Sequence, residues 1–189
     1  GPAYIRYARE ATPVVTSEAT PLVLGTANVI RYRGRKPSFR DAFETFLSTA
    51  YADEGEDLAI AACGPILCEA MRAAVILKEE FGLEVRVLNV HTVKPLDGEA
   101  LRRAARETGA VLTCEEHQKG GFGNIVAGAI SGCGTKAGPL VFDRIGVEDR
   151  FGESGKPWEL MIRFGLTAEH IAARAKDLVG TRAKARGRS

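Results

Sequence analysis

His91, Glu116 and His117 each follow an apolar run that reads as a buried strand, and all three carry side chains suited to proton transfer or metal binding. If those runs are parallel strands, their carboxyl ends share one edge of a sheet, where open α/β folds bind ligands. His91-Thr92, Glu115-Glu116-His117 and Cys63-Gly64 would converge there, with Gly120, Gly121 and Gly123 close behind. Such a crevice could work as an acid–base or metal site. The same residues also have an architectural reading, and it is the favoured one. His91 and His117 would orient loops through hydrogen bonds. Glu116 would satisfy the amides at a helix N-terminus, where the dipole favours an anion. The glycines would supply tight turns and close helix packing.

A second candidate lies near the start. Arg6 and Arg9 follow a short strand-like stretch at 3–7, beside Tyr4 and Tyr7. They are either exposed arginines next to a linker or guanidinium groups held to fork onto a phosphate or carboxylate. Both readings stand. The Gly-Gly-Phe-Gly run at 120–123 lacks the spacing of a dinucleotide fingerprint, and the chain holds no P-loop, nucleophile elbow or zinc-protease helix motif. His170 reads as a surface or packing residue, and Trp158 as core or interface. Cys63, Cys68, Cys114 and Cys133 match no zinc spacing and make no disulfide framework in a chain this long.

The elements that must position these residues alternate regularly. An apolar run at 58–63 (LAIAAC) suits a strand covered on both faces. Gly64-Pro65 then opens a helix whose stripe runs from Ile66 to Phe81 and which Gly82 stops. A strand is predicted over 84–90, with Asp97 as N-cap of a helix ending at Gly109. Strands over 110–116 and 139–146 bracket a helix over 122–131, and helices follow over 157–164 and 167–179. Upstream, 11–26 reads as an extended linker. A capping-box-like start at Ser38 and the spacing of Phe39, Ala42, Phe43, Phe46, Leu47 and Ala50 predict an amphipathic helix over 38–50. The class is α/β, three layers around a mostly parallel sheet.

Composition narrows the function classes. Hydrophobic residues at 45% and charged residues at 26% are ordinary globular values, and a net charge of +2 makes no case for nucleic acid. The positive excess sits in a basic terminus at 181–189, with Arg182, Lys184, Arg186 and Arg188, expected to be solvent-facing chain. No apolar stretch approaches the ~18 residues that span a bilayer, so no membrane partner is expected. Thiols without a disulfide pattern suggest a cytoplasmic protein. The chain opens at Gly1 without an initiator Met, and an upstream segment is expected to be missing.

Several segments in order resemble transketolase: 4–10 (YIRYARE), 87–97 (VLNVHTVKPLD), 108–123 (TGAVLTCEEHQKGGFG), 145–157 (IGVEDRFGESGKP) and 164–167 (FGLT). The match is to the C-terminal part of that family. The third domains of deoxyxylulose-phosphate synthase and of thiamine-dependent 2-oxo acid dehydrogenases share the strand, KPLD or SPLD turn, helix, EE and GGFG core. The combination of HTVKPLD, EEH and FGESGKP is similar to transketolase within that group. The resemblance implies two-carbon ketol transfer between sugar phosphates with thiamine diphosphate and a divalent metal such as Mg in the complete enzyme. It implies none of the cofactor on this chain, whose role would be largely structural and which alone would be inactive. Residues 1–10 would end a preceding pyrimidine-binding domain, with 11–26 a linker and 27–180 the C-terminal domain. Arg9, in an Arg-Glu ending, would hold a substrate phosphate. The diphosphate- and pyrimidine-binding domains, in the same or a separate chain, would be its partners in a homodimer or heterotetramer. A free-standing anion-binding regulatory module built on His91, Glu116 and His117 is the reading of another class. Residues 31–56 depart from the common pattern, and the helix expected there would be an added cover or a subunit contact.

Overall fold

The fold is that of a computed structural model, which describes residues 1–136 and 138–187. Six strands form one sheet in the order β2-β1-β4-β3-β5-β6. They are β1 (Asn28–Tyr32), β2 (Phe43–Leu47), β3 (Leu58–Cys63), β4 (Val85–Asn89), β5 (Ala110–Gln118) and β6 (Val141–Val147). β4, β3, β5 and β6 run parallel, while β1 is antiparallel to both β4 and β2. The sheet is therefore mixed, with its parallel part where the apolar runs placed it.

Helices α1 (Leu67–Phe81) and α5 (Ala168–Arg186) contribute to the core on one face; α2 (Gly98–Thr108) and α3 (Phe122–Ile130) contribute to that on the other. Strand alternation divides the residues between them. In β5, Leu112 and Cys114 pack in the core beneath α1 and α5, whereas Val111 packs in the core beneath α2 and α3. In β3, Leu58, Ile60 and Ala62 take the first face and Ala59 and Ala61 the second, all at 0% exposure. A strand buried on both sides must be apolar at every position, which is what LAIAAC supplies.

Asp97 caps α2 by accepting the amide of Ala100 (3.0 Å). Its other oxygen accepts the Ala27 amide (2.8 Å) and the Ser48 hydroxyl (2.6 Å), so one carboxylate ties the entry to β1 and the exit of β2 to α2. α4 (Pro157–Arg163) buries none of its residues, and Trp158 on it is 52% exposed.

Three expectations are corrected. No helix spans 38–50. That stretch holds β2 between short 3-10 turns at Arg40–Ala42 and Ser48–Ala50. Phe43 and Phe46 point to opposite faces and each finds an aromatic partner, Phe43 on Tyr32 (5.4 Å) and Phe46 on Tyr51 (5.6 Å). Covering on both sides of a strand produced an apolar spacing that imitates a helix, and pairing with β1, itself unanticipated, settled the outcome. Residues 3–7 form no strand but an exposed segment without regular structure. α5 continues to Arg186, through the first residues of the expected solvent-facing terminus, and Arg182 is buried. Arg182 donates to the carbonyls of Asp57 (2.5 Å) and Thr108. Of that terminus, Arg188 lies outside the described residues.

Candidate functional site

The carboxyl ends of β3, β4 and β5 bring Cys63, His91 and the Glu115-Glu116-His117 run to one edge of the sheet. Parity decides which does what. Glu115 falls on the same side as Val111 and Thr113, facing α3, and it is 4% exposed. Its carboxylate accepts the amides of Phe122 (2.7 Å) and Gly123 (2.8 Å), capping α3 with both oxygens. The capping role expected of Glu116 thus belongs to Glu115. Glu116 points to the other face, where it keeps access to solvent.

The glycine run follows from this cap. A Cβ at Gly121 would stand 2.7 Å from Glu115 Oε2 and 3.2 Å from His117 Nδ1. At Gly123 it would stand 2.6 Å from Arg144 Cδ and 3.0 Å from Thr113 Oγ1. Only hydrogen fits between the helix start, the carboxylate and the sheet. Gly121 and Gly123 serve close approach, whereas a Cβ at Gly120 would meet only Asn124 Nδ2, at 3.5 Å.

Glu69 on α1 repeats the device. Its carboxylate, buried like that of Glu115, accepts the Ala168 amide at the start of α5 (2.8 Å) and pairs with Arg72 (3.2 Å). Two helices on opposite faces are therefore started by glutamates from other elements, a role that the sequence did not suggest for Glu69.

His91 Nδ1 hydrogen-bonds to Thr92 Oγ1 (2.8 Å), and its Nε2 is buried without a hydrogen-bond partner among the described residues. His117 is exposed. Partial burial pushes the Glu116 carboxyl up; the Arg6 guanidinium opposes the rise and Glu69 adds to it. Burial likewise raises the Cys63 thiol, with Glu115 adding and Arg6 opposing. Arg6 thus stands near this edge. Arg9 lies in solvent, with a side chain 90% exposed that meets Glu10 at 3.2 Å. His170 is exposed and hydrogen-bonds Thr167 Oγ1 (2.9 Å).

A divalent metal carrying a diphosphate needs several converging oxygen donors. At this edge both oxygens of Glu115 are engaged by amides, and among the described residues no three His, Cys, Asp or Glu side chains are placed to share an ion. The residues of this edge do not fit a thiamine diphosphate–metal anchor.

At the opposite edge charge is dense and paired. Arg86, with a side chain 2% exposed, bonds Glu56 (2.6 Å), Glu107 (2.6 Å) and Asp53 (3.2 Å). Arg31 bonds Glu56 (2.5 Å) and Glu84 (3.1 Å), while Tyr51 donates to Glu56. A cleft of about 330 Å³ opens beside Arg31, Arg33, Glu54 and Glu84. Burial, then the Glu56 bond, raise the Tyr51 hydroxyl well above its ordinary value.

The family profile "Transketolase, C-terminal domain" matches residues 48–171. A 6-deoxy-6-sulfo-D-fructose transketolase subunit of Clostridium sp. (strain MSTE9) is 37% identical over 94% of this chain and 47% of its own length. A 1-deoxy-D-xylulose-5-phosphate synthase of Symbiobacterium thermophilum is 34% identical over 95% of this chain and 24% of its own. Among solved structures, a split-gene transketolase captured as an inactive β4 tetramer superposes with a TM-score of 0.69 at 32% identity, covering 91% of this chain and 48% of that one. The chain thus spans about half the length of the transketolase subunits it matches and about a quarter of the synthase. With the profile covering most of the sheet and its flanking helices, the chain belongs to the transketolase C-terminal domain family.

Proposed function

We propose that this chain is the largely structural C-terminal part of a thiamine-diphosphate-dependent transketolase that moves two-carbon ketol units between sugar phosphates. One observation carries the reading: 37% identity over 94% of this chain to a transketolase subunit about twice as long. The edge where such a sheet would bind a ligand supports it, because its buried carboxylate Glu115 is fully engaged in starting a helix. Thiamine diphosphate and its divalent metal would be held by diphosphate- and pyrimidine-binding domains, in the same or a separate chain, within a homodimer or heterotetramer. When bound, the cofactor supplies the carbanion chemistry of ketol transfer. Arg9 would present its guanidinium to a substrate phosphate once those domains order the segment around it. The cytoplasm would be the compartment.

The test is calorimetry of thiamine diphosphate with magnesium on this chain alone and with candidate partner subunits, followed by a ketol-transfer assay from xylulose 5-phosphate. Binding only with a partner, and transfer by that assembly, is the expected result. A well-folded assembly without transfer would overturn the reading, and use of pyruvate as donor would move it to the synthase side. In the active assembly Arg9→Ala should raise KM for phosphorylated sugars some tens-fold, the loss of one charge-assisted pair of about 2 kcal/mol. Unchanged kinetics would remove Arg9 from the site.

A further inference from the structure

β2 forms one border of the sheet, and its outer side is complementary to itself. In the β1–β2 ladder Ser48 donates its amide to the Ala27 carbonyl (2.9 Å), and Arg33 donates to Ala42 (2.8 Å). The alternation of an antiparallel pair then turns the backbone groups of Glu44 and Phe46 towards β1 and those of Phe43, Thr45 and Leu47 outward. Among the described residues no strand pairs with that outer side. Proteins protect such borders with proline, lysine or a bulge. The run FETFL has none of these, and its one charge, on Glu44, is already paired with Arg33 (2.6 Å).

We propose that β2 pairs antiparallel with β2 of a second copy of this chain, about a two-fold axis through Thr45, so that two sheets become one. In that register Thr45 faces its own copy and Phe43 faces Leu47 of the partner. Every outward N–H and C=O of the strand then finds a complement. On the α1 side, Phe43 and the half-exposed Phe39 that leans on it (ring centroids 5.1 Å apart) would extend an apolar row across the axis. On the other side Glu44 faces Phe46 rather than another Glu44, so like charges are not opposed. Arg33, which lies 5.9 Å over the Phe46 ring, stands where the second copy's Glu44 would arrive. Residues 15–20 border Phe43 and Thr45 across a cleft of about 200 Å³. Among the described residues they make no backbone hydrogen bond to β2. The contact is isologous, as a closed dimer requires. It does not rest on the proposed catalytic assembly.

The experiment is sedimentation of the 189-residue chain over a concentration series, with T45P alongside. Self-association is expected for the unaltered chain. T45P removes an outward amide that β1 does not use, so dimer affinity should fall about tenfold or more with the circular dichroism melt unchanged. A monomer at every concentration, or an undiminished dimer in folded T45P, overturns the proposal. If T45P fails to fold, T45C decides. A short bifunctional thiol reagent should join two chains through position 45, mapped against the native cysteines by mass spectrometry, and the absence of that link overturns the proposal.

Discussion

At the amino ends of the parallel strands, charged side chains answer one another; at the carboxyl ends they answer the backbone. Arg86 and Arg31 share Glu56 and draw in Glu107 and Glu84, each from a different element. Glu115 and Glu69 instead take up the unsatisfied amides of α3 and α5. Both arrangements solve the cost of burying charge, but they fix different things. The ion network sets where strands, turn and α2 stand relative to one another. The caps set where helices begin and so the spacing of the carboxyl edge. His91 Nε2, Glu116 and His117 are then the polar groups of that edge which the fold engages least.

The largest effect should come from breaking the network. Arg86→Met takes one counter-ion from the buried Glu56, which keeps Arg31, and one from Glu107, which keeps Arg103, and should cost about 3 kcal/mol, read from urea unfolding at pH 7. A loss below ~1 kcal/mol would mean that Arg31 and Arg103 hold the amino edge without it. Next comes Glu115→Gln, which keeps the shape but offers one acceptor oxygen for two amides. A loss of about 1–3 kcal/mol is expected, with faster hydrogen exchange confined to the Phe122 and Gly123 amides. Exchange spread evenly over the sheet would contradict a local cap.

The smallest effect separates the edges by the sign of their pH dependence. The Arg33 bond, against desolvation, holds the Glu54 carboxyl below its ordinary value. Its contribution is therefore present above the unfolded-state value and is lost as pH falls through the lower folded-state one. Glu116 is raised, so its folded form favours the proton. That contribution is present at low pH and fades as pH rises through its elevated folded-state value. Acidification should thus weaken the amino edge while relieving the carboxyl edge, and Glu116→Gln should be slightly stabilising at neutral pH and indifferent in acid. A melting series from about pH 4 to pH 7 in which Glu116→Gln destabilises throughout would refute the assignment.

The contrast also explains what could be read from the sequence. β3, α1 and the Asp97 cap depend on local pattern, and they stand where that pattern put them. The identity of the α3 cap was within reach, because counting alternate positions from Val111 turns Glu115, not Glu116, towards α3. β1 and β2 were not, since FETFL becomes a strand only by pairing with NVIRY. Nor was Glu69, which serves an amide 99 residues further along the chain. Neither ion network nor long-range cap leaves a periodic trace.

Arg182 adds a question of timing. Its guanidinium bonds the carbonyl oxygens of Asp57 and Thr108, 125 and 74 residues earlier. A ribosome releases those carbonyls long before the helix that serves them, so the sheet can pair while this corner still waits on water. α5 closes the corner that the start of β3 opens, and a nascent chain halted before Arg182 would carry that corner open.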